Sequence, residues 1–68
     1  MSNWKFTNKT KNTYLECNDL SFLMSQLKNR LGLKIPVTGE LLLYGHFDGI
    51  VQDCEGNNFD IEIIEISD

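Results

Sequence analysis

The sequence predicts a small α+β domain of order ββαβββ: an N-terminal β-hairpin, one amphipathic α-helix and a C-terminal three-stranded antiparallel meander. Three observations lead there. Leu20, Leu23, Met24, Leu27 and Leu31 fall within about 100° of one another on a 3.6-residue wheel, the signature of a helix with one core-facing side. Segments rich in β-branched and aromatic residues, bounded by polar turn residues, lie on both sides of that helix. Finally, 68 residues of which 41% are apolar and 24% charged make one folded domain, 1–68, and leave no room for a second.

The hairpin comes from residues 4–7 and 13–17, with the polar stretch 8–12 as its turn. Asn18 and Asp19 then offer N-cap side chains, Lys28 and Arg30 stand where the helix dipole favours cations, and Gly32 before Leu33 reads as a left-handed C-terminal cap. Phe22 projects almost opposite the apolar stripe, which makes it either a residue covered by the N-terminal segment or an exposed contact. A connector over 35–39 follows, in which Pro36 bars helical continuation. The meander is expected over 40–47, 49–54 and 58–66, with turns at Asp48-Gly49 and at Glu55-Gly56-Asn57.

Strand parity adds a complication. Phe59, Ile61 and Ile63 share one face with Asp60 and Glu62 opposite, yet Ile64 and Ile66 fall on the acidic side. Leu41, Leu43 and Phe47 alternate with the equally mixed set Leu42, Tyr44 and His46. A bulge could reset the last strand. Alternatively the helix covers one face while the hairpin wraps over the other, or Leu42, Tyr44, Ile64 and Ile66 form an exposed patch rimmed by carboxylates.

Most chemistries are excluded by residue supply. His46 is the sole histidine, and nothing in the spacing brings it to Cys17 or Cys54 with Asp48 as a nucleophilic triad. Three Cys and His residues in total fall short of a structural zinc site. The segment Asp53-Cys54-Glu55-Gly56-Asn57 places its glycine fourth rather than sixth, so it is no EF-hand loop. Gly45-His46-Phe47-Asp48-Gly49 matches no phosphate-binding fingerprint. The hairpin joins Trp4, Phe6 and Tyr14 to Lys5, Lys9 and Lys11, but three lysines are few phosphate contacts in a chain of net charge −4. No run approaches the roughly 20 apolar residues of a membrane span, and the two cysteines are expected to be free thiols in a cytosolic chain. The expectation is therefore a non-enzyme with no cofactor, no metal and no direct contact with nucleic acid or membrane.

Charge gives the remaining clue. Lys5, Lys9, Lys11, Lys28, Arg30 and Lys34 against Glu16 and Asp19 give residues 1–38 a charge of +4. Glu40, Asp48, Asp53, Glu55, Asp60, Glu62, Glu65 and Asp68 give residues 39–68 a charge of −8. Such segregation suits a module that binds a basic protein surface, with Leu42, Tyr44, Ile64 and Ile66 as anchors and Asp48, Asp53, Glu55, Asp60, Glu62 and Glu65 as a steering rim. Inhibitors of this general character, as phages make against host defences or as immunity proteins provide against toxins, block nucleases and other nucleic-acid-handling enzymes. Two alternatives stand beside it: an accessory subunit or weak homo-oligomer, and a nucleic-acid mimic.

Overall fold

A hairpin at each end and a helix between them resolve into one five-stranded antiparallel sheet with the helix packed on one side. The structure, a computed structural model, describes residues 2–35 and 43–67. Strand β1 (Ser2–Asn8) turns back into β2 (Thr13–Cys17) through a polar loop in which Asn12 takes a φ of 56°, a left-handed conformation that asparagine tolerates. Asn8 is buried at the loop entrance, where its Oδ1 accepts a hydrogen bond from the Lys11 backbone N–H at 3.1 Å.

Helix α1 (Leu20–Asn29) begins where expected, with the Asp19 carboxylate accepting from the Ser21 N–H at 3.1 Å. Leu23 and Leu27 are fully buried, and Leu20 and Met24 pack beside them. Leu31, placed on the core stripe by its spacing, instead lies past the helix end and is half exposed. The reason is local: Arg30 caps the helix and Gly32, at φ +67°, swings the chain into a two-residue strand β3 (Leu33–Lys34) that buries Leu33. Phe22 is exposed, so nothing from the N-terminal segment covers it.

The meander differs from its expectation. Asp48-Gly49 is not a turn: β4 (His46–Asp53) runs through it unbroken, merging what the sequence suggested as two strands. Leu43 and Tyr44 are helical, and Glu40, Leu41 and Leu42, with Pro36 to Gly39 of the connector, lie outside the described residues. The third strand is supplied by β3, and β5 (Asn58–Ser67) returns antiparallel to β4. Gly49 serves packing rather than turning, since a Cβ there would stand 3.1 Å from Cζ of Phe47.

Strand order is β2-β1-β5-β4-β3, so the first strand pairs with the last. That ladder runs without a skipped residue from Ser2↔Ser67 to Asn8↔Ile61, and β4–β5 is equally regular from His46↔Ile64 to Gln52↔Asn58. Two expectations fall with this register. No bulge resets β5, and the hairpin extends the sheet edge to edge instead of wrapping over its second face. Trp4, Phe6, Val51, Ile61 and Ile63 form the core with Leu23, Leu27 and Leu33 on the helix side.

A one-sided core predicts sharply unequal costs for alternate residues. Ile63→Ala, at a fully buried position, should lower unfolding stability in urea by about 2–5 kcal/mol. Ile50→Ser on the opposite face should change it by no more than about 0.5 kcal/mol.

Candidate functional site

Because side chains alternate across each strand, the register fixes what the sheet presents away from the helix. Lys5 and Thr7 of β1 stand beside Ile64 and Glu62 of β5, which stand beside His46 and Asp48 of β4; Asp60 and Ile50 form the next row. Tyr14 and Glu16 extend the face onto β2. Among the described residues no element is layered over it: Ile50 is 70% exposed, Tyr14 67% and Ile64 38%. Three large apolar groups kept in water within one polar sheet face are the least expected feature of the surface.

Five residues singled out for partner binding meet here: Asp48, Asp60, Glu62, Ile64 and Ile66. The others do not. Glu65 has the opposite parity, on the helix side next to Gly45. Tyr44 is exposed but precedes β4 in a helical turn, and Leu42 lies outside the described residues. Glu55 sits in the β4–β5 turn, and Asp53 organises that turn. The Asp53 carboxylate accepts from the backbone N–H of Asn57 and of Glu55, each at 2.9 Å, and from Asn57 Nδ2 at 3.1 Å. Those bonds, led by the Asn57 backbone, hold the Asp53 carboxyl below its ordinary pKa. Ile50 and His46 were missed because a turn at Asp48-Gly49 hid the parity of β4, and Tyr14 because it joins this face only through the pairing of β1 with β5.

The face is less acidic than the sequence halves imply. Lys9 reaches across from the β1–β2 loop to Asp48, Nζ to Oδ1 at 3.0 Å. This hydrogen bond, aided by the charges of Asp48, Asp60 and Glu62, raises the Lys9 pKa. The loop is pinned for this reach: the Lys9 N–H donates to the Asp60 carbonyl at 2.8 Å and the Asp60 N–H to Thr10 Oγ1 at 2.9 Å. His46 Nε2 lies 3.2 Å from Glu62 Oε2, and Lys5 sits 5.0 Å above the Tyr14 ring. Cations thus flank the acids on the β1 side, and the residual negative charge falls on Asp60 and the β4–β5 half.

No catalytic arrangement assembles among the described residues. Cys54 lies beyond the opposite end of β4 from His46, its thiol donating to the Gly32 carbonyl at 3.6 Å. Two open grooves run beside the helix. One of about 510 Å³ is lined by Met24, Lys28, Leu33, Lys34, Ile35 and Cys54, the other of about 420 Å³ by Phe6, Lys11, Leu15, Arg30 and Leu31 among others. The first holds a thiol with no imidazole or carboxylate to activate it, and the second holds no nucleophile. No protein-family model, curated protein or solved structure matches the chain.

Two titrations check this placement. Cys54 is exposed, whereas burial and the nearby Asp19 charge push the Cys17 thiol up, so a disulfide reagent near neutral pH should modify Cys54 first and Cys17 markedly later. Asp53 should titrate by NMR below the ordinary value of about 3.9. Its depressed pKa means that its contribution to stability is present above that value and is lost as pH falls through the folded pKa. Asp53→Ala should therefore lower the melting temperature at neutral pH by more than it does in strong acid.

Proposed function

We propose that this chain is a small protein-binding module that uses the sheet face opposite the helix to occupy a basic surface of its partner, as an inhibitor of a nucleic-acid-handling enzyme would. The supporting observation is the exposure of Ile50 and Ile64 on a sheet face that also carries Asp48, Asp60 and Glu62. The Asp48–Glu62 pair lies between the two isoleucines, so the face offers a partner apolar contact and negative charge side by side.

Charge argues for the partner's sign. Among the described residues Asp60 makes no ion pair, although the Lys9 charge acts on it, and the chain as a whole is −4, so a basic surface gains steering attraction while an acidic one is repelled. Mimicry of nucleic acid is the weaker reading. Duplex DNA presents one charge per roughly 1.7 Å, whereas here Asp48 is paired with Lys9 and Glu62 with His46. Self-association is weaker as well, because Lys9 already satisfies within the chain the attraction between its two halves.

The reading is tested by capture from a nuclease-treated lysate with wild type, Ile64→Arg and the double variant Asp60→Lys with Glu62→Lys in parallel. A basic nucleic-acid-binding protein held by wild type, released by salt and lost with both variants is the expected result. Capture indifferent to all three substitutions would place the interface elsewhere and sink the proposal.

A further inference from the structure

We propose that His46, Asp48 and Glu62 form a surface site for a divalent transition-metal ion of the zinc class. One ligand atom from each lies within 4.8 Å of the others. His46 and Asp48 are two apart on β4 and so point the same way, while Glu62 is the direct cross-strand partner of Asp48 on β5. The three are thus held by the most regular part of the sheet, with no loop contributing a ligand.

The distances are close to what such an ion requires. Metal–ligand bonds of about 2.1 Å to imidazole and carboxylate place neighbouring ligands of a tetrahedron about 3.4 Å apart. His46 Nε2 and Glu62 Oε2 are already 3.2 Å apart, and a rotamer adjustment of Asp48 closes the set. A carboxylate only accepts, so the proton in that contact is on Nε2. The metal would take that place on Nε2, the proton of the neutral ring moving to Nδ1.

Electrostatics favours the exchange. Asp48 and Glu62 stand directly opposite one another, where like charges destabilise a sheet. At present Lys9 relieves Asp48 and His46 relieves Glu62, through separate contacts on exposed groups. A dication bound by neutral imidazole and two carboxylates neutralises both acids at once. The imidazole nitrogen selects zinc, copper and nickel over calcium and magnesium, and three protein ligands leave at least one position open to water or an outside group. Lys9 is the competitor: its ammonium must withdraw from Asp48 before the metal enters.

The test is a zinc titration of the reduced, chelator-treated chain, followed by calorimetry and by ¹H–¹⁵N spectra, and it needs no partner protein. Saturable one-to-one binding in the micromolar range is expected, with shifts centred on His46, Asp48 and Glu62. His46→Ala and Glu62→Gln should each weaken it by at least about tenfold. Lys9→Gln should tighten it, Cys54→Ser should leave it unchanged, and calcium and magnesium should not compete. All these positions are exposed or partly so, and circular dichroism verifies each fold. Failure of wild type to saturate below millimolar zinc, full binding by His46→Ala, or weaker binding by Lys9→Gln would each overturn the site.

Discussion

The pairing of β1 with β5 is the constraint on which the rest of the molecule depends. Without it the chain would be a two-stranded hairpin, marginal in water on its own, and a separate three-stranded piece deprived of Trp4 and Phe6. With it, Phe6 and Ile63 become neighbours across a ladder, and the helix has a continuous floor of Phe6, Ile61 and Ile63 to cover. The same pairing places β5 at the centre of the sheet, where its inner isoleucines are fully buried. Because these contacts join residues near opposite ends of the chain, their loop-closure entropy must be overcome before most of the core can form.

One consequence is that, among the described residues, only one face of the sheet is covered. A hairpin folded over the sheet would have buried Ile50 and Ile64; a hairpin joined to its edge leaves them in water. The misplaced isoleucines are therefore neither a register defect nor part of the core. The sheet also redistributes charge. Segregation along the sequence becomes adjacency in space, since the basic loop of β1–β2 lies next to the acidic strands and sends Lys9 to Asp48. The uncompensated acidic area of this face is therefore smaller than the sequence suggests, and exposed Ile50 and Ile64 stand beside it.

The sequence was legible where interactions are local. The helix announced itself through the spacing of Leu20 to Leu27 and the Asp19 cap, and the hairpin through its polar turn; β5 was found almost to its ends. It was misleading where a local signal had a tertiary cause. Gly49 reads as a turn beside Asp48, but its missing side chain makes room for the Phe47 ring. Nothing in one chain's spacing reveals that β1 pairs with β5, so the fate of the second sheet face could not be chosen in advance. The His46, Asp48 and Glu62 constellation was within reach in principle: drawing β4 straight through Gly49 puts His46 and Asp48 on one side.

The adjacency of Ser2 and Ser67 has a mechanical meaning. Strands that are pulled lengthwise past one another resist as a group, because all rungs of the ladder bear load together. Here residues 2 and 67 sit at the same end of antiparallel neighbours, so tension applied through them would peel the β1–β5 ladder one rung at a time, starting at its outermost pair. The ladder that organises the fold is thus loaded one rung at a time by tension in that direction, and not as a group.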